Sequence, residues 1–127
     1  MGLWEKIDAL AVTRVWQPGE VIYREGEPTQ VVHIVRSGQI DLNFSTQNGS
    51  AKPLRRATRG EILSLGEAVG ARGQSATATA RSRCETGFLL VTRLRALLDE
   101  TPGVWFSVLQ RLSQDVTQSW DSLRAGR

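Results

Sequence analysis

Between Val12 and Val91 turn residues, mostly glycine or proline, interrupt the chain every few positions, which leaves little room for a helix of ordinary length. Val12–Trp16 runs into Pro18-Gly19, Val21–Tyr23 into Gly26 and Pro28, and Val31–Val35 into Ser37-Gly38. Ile40, Leu42 and Phe44 alternate with Asp41, Asn43 and Ser45, the period of a strand with one buried face. Asn48-Gly49 marks a hairpin because both residues tolerate positive φ, and Pro53–Thr58 is the expected return strand. Arg59-Gly60-Glu61 is another turn, and Ala76–Ala80 and Phe88–Val91 read as two further strands. Many short strands at this spacing indicate an antiparallel roll, sandwich or barrel.

Helical periodicity is confined to the two ends. Leu3, Ile7 and Leu10 share one face of an N-terminal helix. Thr92–Glu100 reads as a short helix capped by Thr92 and ended before Pro102. A longer helix is expected from about 103 to 123, where Trp105, Leu109, Leu112, Val116 and Leu123 form a heptad-like seam. That seam either packs on the chain's own strands or joins two copies in a homodimer. The fold class is therefore mainly β with flanking helices (α+β): an antiparallel β-roll, a jelly-roll-like double-stranded β-helix, with a long C-terminal helix. One domain is expected over 1–127, divided into an N-terminal helix (1–11), the roll (12–91) and the C-terminal helices (92–125).

Composition narrows the function classes. A chain of 127 residues with 40% apolar content builds one core. No apolar run is long enough to span a bilayer, and Glu5 and Asp8 near the start argue against a signal peptide. The single cysteine, Cys84, excludes an internal disulfide and fits a reducing compartment, so a cytoplasmic location with no membrane contact is expected. His33 and Cys84 are the only nitrogen and sulfur ligand candidates of the usual kinds, so neither a metal site nor a cofactor is expected. Nucleophile-elbow, P-loop and dinucleotide fingerprints are absent, so the chain is not expected to be an enzyme. Charge is asymmetric: residues 1–50 carry four Lys/Arg against six Asp/Glu, and residues 51–127 carry twelve against seven. The basic stretch 52–95 is either a solvated surface or a field that attracts an anion.

The order of these elements, with Pro18-Gly19-Glu20 through Gly26-Glu27, Val32–Gly38, Arg59–Ile62, Ser75–Ala80 and Phe88–Val91, resembles the cyclic-nucleotide-binding domain. This is the sensor domain of catabolite-activator-type regulators, kinase regulatory subunits and gated channels. The resemblance covers about residues 8–125 and implies a phosphate-binding cassette. In the family a short helix meets the cyclic phosphate, a Glu holds the ribose 2′-hydroxyl and an Arg pairs with the phosphate. The matching positions here are Gly66, Glu67, Ala68, Arg72, Gln74, Ser75 and Ala76. Two departures stand out. Gln74 occupies the place of the phosphate Arg, and a count from Gly60-Glu61 puts the family's Gly-Glu at Ser64-Leu65, two residues before Gly66-Glu67. Arg72 is the nearby cation that would compensate.

The resemblance implies a non-enzymatic regulatory sensor that binds a cyclic nucleotide, cAMP- or cGMP-like, or another small anion, and signals through its C-terminal helix. The alternative is a ligand-free interaction or dimerisation module with a degenerate pocket, akin to the sensor half of a transcription regulator lacking its helix-turn-helix. No helix-turn-helix follows the long helix within these residues, so direct DNA binding is not expected.

Overall fold

The structure, a computed structural model, describes residues 2–100 together with Gly103, Val108 and Leu112. Helix α1 (Leu3–Leu10) leads into strands β1 (Val12–Trp16), β2 (Val21–Tyr23), β3 (Val31–Ser37), β4 (Ile40–Ser45), β5 (Ala51–Ala57) and β6 (Ile62–Leu63). Helix α2 (Leu65–Val69), strands β7 (Thr77–Ala80) and β8 (Cys84–Leu90), and helix α3 (Val91–Glu100) follow. The strands form two antiparallel four-stranded sheets in the orders β1-β8-β3-β6 and β2-β7-β4-β5. The mainly β roll with flanking helices is the architecture expected from the sequence.

The chain changes sheet at nearly every turn, and β4–β5 is the one pair of successive strands hydrogen-bonded to each other. Its connection is not the two-residue turn that Asn48-Gly49 suggested. Gly49 alone has positive φ (83°), the Thr46 N–H donates to the Ser50 carbonyl at 2.8 Å, and Asn48 Oδ1 accepts from the Ser50 N–H at 3.3 Å. The return strand starts at Ala51, so Pro53 lies inside β5. That is tolerated because β5 is an edge strand and its register slips between Leu42 and Asn43. At the β3–β4 corner Gly38 has φ 85°, and a Cβ there would collide with the Arg83 carbonyl and Cys84 Sγ.

Other elements also differ from the sequence expectation. β6 pairs only His33 and Ile34 with Leu63 and Ile62, too short a run to show periodicity. β8 begins at Cys84 rather than Phe88. Its Gly87 admits Ala11 and the Arg36 guanidinium, both of which a Cβ would meet within 2.9 Å. Arg36 in turn pairs with Asp8 at 2.7 Å and donates to the Asp8 carbonyl at 3.1 Å, anchoring the end of α1. Helix α3 starts directly after β8, so Thr92 is its second residue and not its cap.

Two clusters make the core. Ile7, Val32, Ile34, Ile62, Leu65, Leu89, Leu94, Leu98 and Val108 join the first sheet to the helices. Trp16, Tyr23, Val35, Ile40, Leu42, Leu63, Ala78, Ala80 and Cys84 form the second, drawn from both sheets. β3 contributes to both, which explains its unbroken run of buried residues from Val32 to Val35. His33 sits in this interior at 4% exposure, stacked on Tyr23 with ring centroids 6.0 Å apart and edge-on to Trp16 at 6.2 Å. Its Nδ1 lies 3.5 Å from Thr86 Oγ1, which accepts the Trp16 indole N–H at 3.0 Å.

Burial pushes the His33 imidazole from 6.5 down to about 4, and the Arg14 charge adds to the effect. The unfolded chain thus takes up a proton that the folded chain refuses between those two values. Stability is full above pH 6.5 and falls as the pH drops toward 4. Urea unfolding should show a loss on the order of 2 kcal/mol between pH 7 and 4.5 attributable to this group. His33→Phe should remove that part of the pH dependence; an unchanged pH profile in the variant would refute the assignment.

Candidate functional site

The site grows from the junction of β6 and α2. Ser64 enters the helix in the left-handed conformation (φ 71°), and Ala71 leaves the following turn in the same region (φ 53°). Among the described residues these are the two non-glycine positions with positive φ, and they bracket α2. Such conformations persist only where surrounding contacts impose them. Here the contacts are visible. The Ser64 hydroxyl donates to Gln74 Oε1 at 2.8 Å and also hydrogen-bonds with Tyr23. Gln74 itself is tied down through its backbone: its N–H donates to the Glu27 carbonyl and its carbonyl accepts from the Gly26 N–H, both at 2.8 Å. Gly73 bridges to Pro28, with the Glu27 and Gly26 carbonyls 3.2 and 3.3 Å from where a Cβ would stand.

A cavity of about 620 Å³ opens over this framework, bounded by β4, β5, β6, α2 and the segment before Ala76. Of the residues singled out from sequence, Gly66, Glu67, Arg72, Ser75 and Ala76 line it. Two do not. Gln74 is buried behind the wall with its amide oxygen turned to Ser64, and Ala68 packs in the core, its carbonyl accepting from Arg95 Nη2 at 3.2 Å. The sequence reading missed Tyr23, Leu42, Leu54, Arg55, Leu63, Ser64, Leu65, Val69 and Leu112 on the same wall. Most come from distant strands and carry no local signal. Leu65, at the place where the family's Glu is expected, is 1% exposed.

Arg55 is paired with Glu61, whose other oxygen accepts from the Thr58 N–H at 2.5 Å. Burial pushes the Tyr23 phenol up to about 12; the Ser64 hydrogen bond opposes this, the Glu67 charge adds to it and the Arg55 charge subtracts. Tyr23 is therefore a neutral hydrogen-bonding group at any ordinary pH. Arg72 is exposed and doubles back along α2: its Nε lies 3.0 Å from a Cβ built on Gly70 and its Nη2 3.8 Å from one built on Gly66. Among the described residues no three His, Cys, Asp or Glu side chains gather closely enough to hold a metal.

Of the proposed seam, Leu112 is half-buried against the chain's own core and lines the cavity. Trp105, Leu109, Val116 and Leu123 lie outside the described residues. No helix among the described residues is long and apolar enough to cross a membrane.

A family model, the cyclic nucleotide-binding domain, matches residues 13–101, and the chain belongs to that family. Solved structures agree at the level of fold. The catabolite activator protein of Thermus thermophilus is 21% identical with a TM-score of 0.82, over 95% of this chain and 57% of that one. A transcriptional regulator from Thermotoga maritima is 16% identical with a TM-score of 0.81, over 97% and 95% of the two chains. The regulatory subunit of a cAMP-independent protein kinase A from Trypanosoma brucei is 20% identical with a TM-score of 0.78, over 98% and 45%. Several of the matched regulators are longer, and the chain spans 54–59% of their length. No curated protein matches the sequence.

Ser64→Ala would strand Gln74 Oε1 and the Tyr23 hydroxyl, at a cost of about 1–3 kcal/mol. Ser64→Gly loses the same bonds but relaxes the left-handed backbone, so it should be the milder variant by about 1 kcal/mol in chemical denaturation. Equal losses would show that the backbone at Ser64 is not strained.

Proposed function

We propose that the domain is a non-enzymatic regulatory sensor in which a small anionic ligand, a cyclic nucleotide or an anion of similar size, occupies the cavity. The observation that supports this reading is the cavity's construction: concave, mostly apolar, with Glu67 and Arg72 close together on one short segment of its wall. Arg72 meets the ligand's negative charge, and Glu67 accepts from a ligand hydroxyl. Displacement of α2 then reaches α3 through the Arg95 guanidinium on the Ala68 carbonyl, and reaches the C-terminal segment through Leu112.

The nucleotide is expected to bind weakly. Gln74 stands in the sequence where the family has its phosphate arginine and faces away from the cavity, and losing a hydrogen bond to a charged group costs about tenfold in affinity or more. Calorimetric titration with cAMP and then cGMP should give saturable binding with dissociation constants above roughly 100 μM, weakened about tenfold by Arg72→Ala. The ligand-free interaction module is the second reading, favoured by the Ser64–Gln74 bond, which satisfies the inner polar groups without a ligand. Flat titrations of a folded sample would select it.

The same proposal includes homodimerisation through the C-terminal helix. Sedimentation of a Val116→Glu, Leu123→Glu double variant should give monomers where the parent gives dimers; a dimer that survives both changes would rule out the seam.

A further inference from the structure

Half of the polar side chains that line the cavity are spent on the protein itself. The Ser64 hydroxyl serves Gln74 and Tyr23, and Arg55 is held by Glu61. Apart from the Glu67 carboxylate and the Ser75 hydroxyl, the remaining wall is mostly hydrocarbon: Leu42, Leu54, Leu63, Leu65, Val69 and Leu112, from four successive elements and the C-terminal segment. Against this stands Arg72, which of the two described cations lining the cavity is the one with no ion-pair partner, and which reaches back over α2 because Gly66 and Gly70 carry no side chains there.

A nucleotide would bring ribose hydroxyls and base nitrogens into this enclosure. Each polar group that leaves water without a partner lowers affinity by about tenfold or more. A hydrocarbon body meets the reverse situation, because every buried methylene raises affinity about fourfold. A planar guanidinium is the side chain best matched to a single carboxylate, which it can hold through two parallel hydrogen bonds.

We infer that the preferred ligand is an amphipathic monocarboxylate, a medium-chain aliphatic acid whose carboxylate pairs with Arg72 and whose chain lies along the leucine wall toward Leu112. This rests on the reading of the cavity as a ligand site and names the ligand's class. The Glu67 carboxylate, close enough to Tyr23 to act on its phenol, is then an opposing charge and not a ligand-holding group.

Calorimetry on the full chain with butyrate, hexanoate and octanoate, with octanol and cAMP as comparators, tests the assignment. Octanoate should bind tighter than cAMP, and affinity should rise about fourfold per methylene along the series. Octanol should bind at least about tenfold more weakly than octanoate, and Arg72→Ala should bring octanoate down to the level of octanol. Arg83→Ala, at an arginine outside the cavity, is the control and should leave octanoate binding unchanged. Glu67→Gln separates the two ligand classes: it should tighten octanoate by about two- to threefold and weaken cAMP. Tighter binding of cAMP than of octanoate, or no dependence on chain length, would overturn the carboxylate and leave the cavity a ligand site. Octanol equal to octanoate would overturn it as non-specific uptake of hydrocarbon. A folded sample that binds none of these probes would overturn both the carboxylate and the ligand site.

Discussion

The roll depends on its corners, four of which pass the chain from one sheet to the other within two to four residues. Each crossing exposes backbone donors that the ladders cannot reach, and the corners satisfy them across the gap. The Gly60 N–H donates to the Val35 carbonyl at 2.9 Å, the Arg81 N–H to the Gln39 carbonyl at 2.9 Å and the Gly19 N–H to the Ala80 carbonyl at 2.7 Å. These bonds bring the two sheets to a spacing at which Trp16, Val35, Ile40, Leu63 and Cys84 close a common interior. At Gly38 the approach is so tight that no side chain fits between it and β8.

Inside that interior runs a column of polar and aromatic groups that continues into the cavity. Trp16 bonds Thr86, Thr86 faces His33, His33 stacks on Tyr23, and Tyr23 bonds Ser64, which holds Gln74. A buried polar group is tolerated only when its partners are present, so each member fixes the rotamer of the next. The cassette segment is therefore set from within the roll. Gln74 belongs to this column rather than to the cavity surface, which is the physical meaning of its standing where a ligand-facing arginine was expected.

β4 was legible because one buried face leaves a period-two trace, clearest at Ile40 and Leu42, and β1, β2, β3 and β5 were legible from the turn residues that bound them. β6 was illegible because two residues have no period, and the start of β8 because Gly87 answers to a neighbouring helix end and not to strand propensity. At the site, Gly66 and Glu67 were visible as a dipeptide, and the wall does include both. The partners that define its chemistry were not visible. Ser64's backbone conformation and its bond to Gln74 depend on Tyr23, forty-one positions away by number (64 − 23). Periodicity reports which face is buried, and it carries no information about which distant hydroxyl a buried amide will find.

The bridge between Gly73 and Pro28 has an evolutionary consequence. It anchors one end of the cassette to the β2–β3 loop through backbone bonds alone, whatever side chains the segment carries. Ser64 anchors the other end. Changes of length are therefore absorbed between Gly70 and Arg72, while the anchored ends keep their place. A lineage can lengthen, shorten or recharge that interval, and so reshape one wall of the cavity, without disturbing the packing that makes the domain fold.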